Sequence, residues 1–355
     1  MSGTSLDGID MSILTTNGIN IFEFGPNHFT KFSKELNEKL FEALNLNDRI
    51  TLQNKFINDL NVLFSEEYSA SILEFIKNTD VELIGLHGQT IYHDPKNKIS
   101  IQLGDGQLIS NYLNKKLIYN MRKNDLSHNG QGAPIAPIYH KLIMEDLNLC
   151  PPSCILNIGG ISNITYWDHK DLIGFDTGPG NSIINDLMFK FFNQDYDKDG
   201  KTAFRGKILN KLINQIMADN YFKVSYPKSL DRQHFNRYLR NIKKYRAEDI
   251  IATFSEFTAL SISNSLKLLP HYPKSIIIMG GGSKNLYIRD RLKKHLKCNI
   301  IQQNSTKYHP DFIESQLMGF LAVRSINNLP YTFPLTTGVS EPLSGGELCI
   351  PKETH

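Results

Sequence analysis

The sharpest chemical feature of this chain is a single aspartate set among small residues and glycines. Gly174-Phe175-Asp176-Thr177-Gly178-Pro179-Gly180-Asn181 places Asp176 at the end of an apolar strand, with a helix expected from about Ser182. A carboxylate held there can act as a general base, while N–H groups at a helix N-terminus can meet a phosphate. A simple helix cap is the bland alternative, but Asn181 or Ser182 would supply that cap better. Asp176 is therefore the candidate catalytic residue.

Two further loops could hold anions. Met1-Ser2-Gly3-Thr4-Ser5-Leu6-Asp7-Gly8-Ile9-Asp10 crowds glycines, hydroxyls and carboxylates together. Gly3 and Gly8 allow close approach of a ligand, and the N–H groups around Thr4 and Ser5 can converge on phosphate oxygens. Asp7 and Asp10 could hold a divalent cation. An ordinary polar hairpin turn has the same composition, and both readings stay open. Met279-Gly280-Gly281-Gly282-Ser283-Lys284-Asn285 follows a short apolar strand and opens a helix. It is neither a dinucleotide fingerprint nor a Walker loop, which leaves a nucleotide at a helix start or a tight packing turn.

Leu86-His87-Gly88-Gln89-Thr90 and Asn129-Gly130-Gln131-Gly132-Ala133-Pro134 are polar loops suited to sugar hydroxyls and amides. Arg122, just before the second, could pair with a carboxylate, or be an ordinary surface arginine. Asp195-Tyr196-Asp197-Lys198-Asp199-Gly200 starts like a calcium-binding loop, but position twelve is Gly206 instead of Glu. Calcium is excluded there, and a solvated helix end with a turn is expected.

The elements that must position these loops follow from periodicity. Residues 9–15 read as a strand and 32–78 mostly as helix, with an apolar stripe through Leu52, Phe56, Leu60, Leu63, Phe64, Ile72, Phe75 and Ile76. Short strands then alternate with glycine loops and helices. SCILNIGGISNITYW reads as a strand, a Gly-Gly turn and a strand; 206–268 reads as a long helical region; SIIIM is a strand. That grammar predicts an α/β protein with ligands at the carboxyl ends of its strands. A glycine hairpin loop at residues 3–8 and another at 159–163 suggest two duplicated α/β domains facing across a cleft.

The bulk numbers limit the function classes. A net charge of +3 over 355 residues, 21% of them charged, gives no electrostatic case for a nucleic-acid partner. No apolar run is long enough to span a membrane. Cys150, Cys154, Cys298 and Cys349 do not make a disulfide framework or a zinc site. The opening residues lack the basic and apolar regions of a secretion signal, so reduced thiols and a cytoplasmic location are expected.

Taken together, the motifs MSGTSLDGID, LHGQTIYH, QLGDG, NGQGAP, LNIGGISN, FDTGPGN, YDKDG and MGGGSKN, in this order, resemble the anhydro-N-acetylmuramic acid kinases of peptidoglycan recycling. That family belongs with the sugar kinases, actin and Hsp70-type ATPases. The resemblance implies two duplicated actin/hexokinase-like (ribonuclease H-like) lobes around a central cleft. Residues 1–120 with 318–355 would form the N-terminal, sugar-side lobe, and 121–317 the C-terminal, adenosine-side lobe. It implies ATP held by Gly3, Thr4, Ser5, Leu6, Asp7, Gly8, Ile9 and Asp10, by Gly178, Gly180 and Asn181, and by Gly280, Gly281, Gly282 and Asn285. Mg²⁺ would accompany it near Asp7 and Asp10. The substrate, 1,6-anhydro-N-acetylmuramic acid, would meet His87, Gln89, Thr90, Arg122, Gln131 and Glu314, with Asp176 as the base. A cytoplasmic homodimer is implied as well.

The chain departs from the family pattern in places. It reads Tyr119-Asn120-Met121-Arg122 where Gly-Asp-Phe-Arg is common, and Asn129-Gly130-Gln131-Gly132 where Gly-Gly-Gln-Gly is usual. Family members also carry a strand before the opening loop. The expectation is that the natural start lies upstream of Met1, or that the chain as numbered binds ATP poorly. A catalytically impaired sugar- or nucleotide-binding homologue is the competing function, and a kinase of the same fold with another sugar is a third.

Overall fold

The computed structural model describes residues 1–3, 6–44, 46, 54–240, 242–302 and 308–352. In chain order the elements begin with strands β1 (Gly8–Thr16) and β2 (Ile21–Lys31) and helices α1 (Lys34–Leu44) and α2 (Lys55–Ile76). Next come β3 (Leu83–Gly85), β4 (Gln89–Asp94), β5 (Ile99–Leu103), α3 (Gly106–Leu113), β6 (Lys116–Tyr119), α4 (Lys123–Ser127) and α5 (Pro137–Asp146). The middle of the chain supplies β7 (Ser153–Ile158), β8 (Ile161–Trp167), β9 (Leu172–Pro179), α6 (Ser182–Phe192), α7 (Lys201–Phe204), α8 (Asn210–Met217) and α9 (Ala247–Ser265). It continues with β10 (Ser275–Met279), α10 (Leu286–His295) and β11 (Asn299–Gln302). The end adds α11 (Ile313–Ile326), α12 (Pro334–Thr337) and β12 (Glu347–Cys349). The protein is of the α/β class.

Two compact units form: Met1–Leu142 with Asp311–His355, and Ile143–Pro310. The division falls at 142/143 and 310/311, so residues 121–142 and 311–317 group with the first unit.

In the first unit, β1 and β2 pair antiparallel, and β12, β6 and β3 form a three-stranded sheet. The expected stripe on α2 is real from Phe56 onward: Leu60, Phe64, Ile72 and Ile76 are buried in the core, with Phe56, Leu63 and Phe75 packed against it, while Leu52 lies outside the described residues. Phe64 and Tyr68, four residues apart on one helix face, pack with ring centroids 5.0 Å apart and planes tilted by 33°. Helix α11 packs on β1, where the Ser12 and Ser315 hydroxyls lie 2.6 Å apart.

In the second unit, five strands run in the order β11-β10-β7-β8-β9. β11, β10 and β7 are parallel; β7, β8 and β9 are antiparallel neighbours. Gly159-Gly160 closes the β7–β8 hairpin, as a two-residue Gly-Gly loop should. β9 is the last strand of this sheet. The N–H of Asp176 donates to the Lys228 carbonyl at 3.0 Å, and the Tyr221 hydroxyl donates to the Asp176 carbonyl at 2.6 Å.

Three expectations need correction. β9 runs through to Pro179, so Asp176 lies inside the strand, opposite a register shift at Ser162/Asn163, instead of at its end. Residues 206–268 are not one helical region: between α8 and α9 lie short 3-10 turns at Asn220–Lys223, His234–Leu239 and Ile242–Lys244. Asp197 is not solvated. It is 4% exposed and accepts from the N–H groups of Thr202 (2.8 Å) and Ala203 (3.0 Å), anchoring α7.

Candidate active site

The first unit gathers charged and polar groups around three segments. Leu6 closes a tight turn through its N–H to the Gly3 carbonyl (3.3 Å) and adopts a left-handed conformation, φ 56°. Its carbonyl accepts from the Asn37 amide at 2.5 Å. Thr4 and Ser5 lie outside the described residues. Gly8 has a packing reason to be glycine: a Cβ there would sit 2.2 Å from the Thr30 carbonyl on β2. Asp7 is exposed, and Asp10 follows on β1. Desolvation raises the Asp10 carboxyl to about 6; the Met1 ammonium opposes that shift, and the negative charges of Asp7, Glu314 and Asp311 add to it. Glu314, in the first turn of α11, is also raised, mainly by desolvation, and the nearby Arg122 guanidinium opposes that shift.

Arg122 is only partly accessible and well tied. One guanidinium nitrogen donates to the Gly132 carbonyl at 2.6 Å, and another lies 2.9 Å from His87 Nε2. His87 is 6% exposed, and its Nδ1 lies 2.9 Å from the Gly88 carbonyl. That pairing places the proton on Nδ1 and leaves Nε2 to accept from Arg122. Burial and the Arg122 charge push the His87 pKa down to about 3, so the ring is neutral. Gln131 works here through its main chain: its N–H donates to the Thr337 carbonyl (2.7 Å), and its carbonyl lies 3.0 Å from His93 Nε2. Asp125 fixes the same loop by accepting from the Gly132 N–H (2.6 Å) and the Thr337 hydroxyl (2.5 Å). Gln89 and Thr90 belong to β4 instead of a loop. Thr90 Oγ1 accepts from Gln102, while Gln89 Oε1 is buried without a hydrogen-bond partner.

The second unit holds Asp176. Its carboxyl accepts from the Leu230 N–H at 2.8 Å. Burial raises its pKa to about 7, against the opposing pull of that N–H and of the Lys228 charge. Sequence reasoning missed Tyr221, Lys228 and Leu230, which lie far from Asp176 in the chain. The segment carrying them is tied down by Asp219. This carboxylate accepts from the Tyr221 N–H (2.9 Å) and the Tyr238 hydroxyl (2.8 Å), and also pairs with Arg237 and His234.

The glycines divide into two kinds. A Cβ on Gly180 would lie 2.2 Å from the Gly159 carbonyl, one on Gly280 2.3 Å from Asn157 Oδ1, and one on Gly282 2.3 Å from Ile158 Cγ2. A Cβ on Gly178 would meet Ser261 Oγ at 2.6 Å. These four are packing positions. On Gly159, Gly160 and Gly281 the nearest atoms would be 3.5, 3.7 and 3.9 Å away, ordinary van der Waals contacts, so packing does not require glycine at those three. The amides of Gly180, Asn181 and Ser182 are taken up by the carbonyls of Gly160 and Gly159. The Asn181 side chain does not cap α6; its amide donates to the Ile158 carbonyl at 3.4 Å. The Ser182 hydroxyl, beside Gly160, is buried without a hydrogen-bond partner. Asn285 caps α10, its Oδ1 accepting from the Tyr287 (3.0 Å) and Ile288 (3.1 Å) N–H groups. Open glycine backbone next to an unpartnered hydroxyl fits a phosphate group.

The molecule is thus a two-unit α/β protein carrying a buried strand carboxyl and open glycine turns. A family model for anhydro-N-acetylmuramic acid kinase matches residues 1–350. The anhydro-N-acetylmuramic acid kinase of Pelagibacter ubique is 38% identical over 365 residues, covering 98% of this chain and 96% of that protein. The one from Rhodopseudomonas palustris strain BisB18 is 33% identical over 361 residues, covering 99% and 98%. A solved ROK family glucokinase from Streptomyces griseus, in complex with glucose and AMPPNP, covers 89% of this chain and 95% of its own at 10% identity and a TM-score of 0.36. The chain belongs to the anhydro-N-acetylmuramic acid kinase family.

Proposed function

We propose that this chain is an ATP-dependent kinase that opens 1,6-anhydro-N-acetylmuramic acid with water and phosphorylates O6, giving N-acetylmuramic acid 6-phosphate. Family membership supports the reading, and the observation that carries it is the setting of Asp176. A buried carboxyl with a pKa near 7, held in place by a backbone N–H, is matched to taking a proton from water at neutral pH. In this reaction Asp176 removes that proton as the water oxygen bonds to C1. The C1–O6 bond breaks with its electron pair on O6, and O6 takes the γ-phosphoryl group as the bond to ADP breaks. Phosphoryl transfer asks mainly for positioning and charge stabilisation.

The second unit would receive the phosphates at Gly159, Gly160 and Gly281, with the Ser182 hydroxyl as a donor. In the first unit the opening loop would be the other phosphate contact. Arg122 retains guanidinium hydrogens beyond those given to Gly132 and His87, which suits it to a sugar oxygen or carboxylate. Mg²⁺ would sit beside Asp10, where the carboxylates of Asp7, Glu314 and Asp311 add negative charge and the Met1 ammonium offsets part of it. Among the described residues no three His, Cys, Asp or Glu side chains form a metal cluster, so most of its ligands would be phosphate and water oxygens. The ion would supply charge neutralisation on the phosphates.

The deciding experiment is turnover of the anhydro sugar with ATP in ¹⁸O-labelled water. One solvent oxygen at C1 and phosphate at O6 are expected. Phosphorylation without label at C1, or no turnover, overturns the reading. The reading includes a cytoplasmic homodimer, checked by light scattering and cell fractionation. Among the described residues no helix is long and apolar enough to cross a membrane.

A further inference from the structure

Three nitrogen donors of the first unit converge on one imidazole atom. Arg122 Nη2 lies 2.9 Å from His87 Nε2, Arg122 Nε 3.3 Å from it, and Gln102 Nε2 3.2 Å. Guanidinium and amide nitrogens donate and do not accept, so this ring nitrogen must be the unprotonated one. The Gln102 amide is fixed in that orientation because its Nε2 also donates to the His87 carbonyl at 2.8 Å. The ring proton then sits on Nδ1, 2.9 Å from the Gly88 carbonyl. Gly88, with φ 72°, lies tight against β5: a Cβ there would be 2.2 Å from the Leu103 carbonyl. Both nitrogens of a ring that is itself buried are thus engaged inside the protein.

Arg122 still has hydrogens to give. Its Nε–Nη2 edge faces His87, and Nη1 donates to the Gly132 carbonyl at 2.6 Å. One N–H remains on each terminal nitrogen. Both partners are neutral acceptors, and Arg122 makes no ion pair among the described residues. The nearby Asp125 carboxylate is committed to the Gly132 N–H and the Thr337 hydroxyl. The guanidinium is held in place without having its charge cancelled by a partner.

We propose that His87 is a positioning residue for Arg122: as a neutral acceptor on one edge of the guanidinium it aims the two remaining N–H groups at the anhydro sugar, and it does not itself touch the sugar. This differs from the direct sugar contact that the family resemblance implies for His87. The consequence for substrate use rests on the sugar-side reading of Arg122.

The chemistry of the position explains why a histidine serves here. A carboxylate would grip the same edge but pair with the charge that a ligand must meet. An apolar side chain would leave the guanidinium free to swing, and a long flexible arginine that is not pre-ordered pays that ordering when ligand binds.

The test is a double-mutant cycle read by steady-state kinetics, with separate KM values for the anhydro sugar and for ATP. His87→Leu should raise the sugar KM ~10-fold or more, the usual effect of losing a hydrogen bond to a charged group, and change kcat and the ATP KM far less. His87→Gln can return a neutral acceptor and should recover most of the loss. In an Arg122→Ala background, His87→Leu should add nothing, because the group it acts through is gone. Losses that multiply in the double variant overturn the proposal and make His87 a sugar ligand in its own right. An unchanged sugar KM in His87→Leu, or a His87→Gln protein no better than His87→Leu, overturns it too. Should His87→Leu not fold, nitrogen-15 NMR of the wild-type histidine rings decides. His87 must keep a bare Nε2 and a protonated Nδ1 between about pH 6 and about pH 8, with and without the anhydro sugar, and a proton on Nε2 overturns the proposal. Failure of the Arg122 reading looks different: Arg122→Ala then loses sugar and ATP equally, whatever the His87 variants show.

Discussion

The Leu230 N–H donates to Asp176 Oδ2 at 2.8 Å, linking residues 54 apart in the chain. This bond favours the ionised carboxyl, and burial favours the neutral one. The balance at about 7 leaves a large ionised fraction at neutral pH. The acid limb of kcat/KM should therefore fall near pH 7. Asp176→Asn should keep the fold and lower kcat at least ~100-fold, the usual size of a general-base contribution. Steady-state kinetics with circular dichroism check both; near-normal turnover in a folded variant removes Asp176 from the mechanism.

The same carboxyl carries a signed effect on stability. Its pKa rises from 3.8 to about 7 on folding, so the folded state binds more protons than the unfolded state across that interval. Stability from this group is complete below the lower value and is lost as pH rises through the upper one. Asp176→Asn cannot ionise and escapes the loss. Its thermal midpoint, measured against wild type, should climb between about pH 4 and about pH 8. A constant difference across that range contradicts the buried carboxyl described above.

Arg122→Ala leaves the Gly132 carbonyl without this donor and takes the nearer donor from His87 Nε2, which keeps the Gln102 amide at 3.2 Å. Each buried group left unpaired costs about 1–3 kcal/mol, so the melting temperature should drop by several degrees. The KM for the anhydro sugar should rise at least ~10-fold, the loss of about 1.4 kcal/mol of binding. ATP affinity should change far less. Isothermal titration with each ligand separates the two, and equal loss of both contradicts a sugar-side role.

The two kinds of glycine give opposite phenotypes. Gly160→Ala and Gly281→Ala give a methyl only ordinary van der Waals contacts, so stability should stay within about 1 kcal/mol. If phosphates lie on that backbone, ATP affinity should fall ~10-fold or more, since the methyl keeps them at a distance. Gly180→Ala drives its methyl onto the Gly159 carbonyl and should destabilise the protein whether or not ATP is present. Thermal melts with and without ATP distinguish the pair; unchanged affinity in both open-face variants excludes them from the phosphate site.

Asp219→Ala removes the acceptor shared by Tyr221, Tyr238, His234 and Arg237. Breaking a buried charged network of this kind costs roughly 3–5 kcal/mol. The folded-state pKa of Asp219 is depressed, chiefly by these donors against the opposing effect of burial. Its contribution is present above the ordinary carboxylate range and lost as pH falls below it. Denaturant melts should show wild type and variant converging as the solution is acidified.

How far these features can be read from sequence depends on whether their cause is local. The β7–β8 hairpin shows itself because Gly159-Gly160 breaks two apolar runs, and α2 because its stripe recurs every third or fourth residue. β2 carries no such signature. Most of its residues are exposed, and two register shifts interrupt its pairing with β1. The 3-10 turns between α8 and α9 read as helix because their course is set by the Asp219 hub, whose donors are spread from Tyr221 to Tyr238. Asp176 stood out as a lone carboxylate among glycines, whereas Lys228 and Leu230 gain their meaning only when the chain folds back on β9. The triple glycine at 280–282 is uniform in sequence, yet Gly281 alone of the three has room for a Cβ.

β9 ends its sheet, and at Asp176 its outer edge is covered by the Lys228 carbonyl and the Tyr221 hydroxyl. A bare strand edge is a template on which any extended chain can add. The segment that sets the state of Asp176 is therefore also a guard against self-association. Lesions that loosen it will uncover Asp176's backbone N–H and carbonyl as well as retune its side chain, and such proteins will be lost to the insoluble fraction as readily as to inactivity.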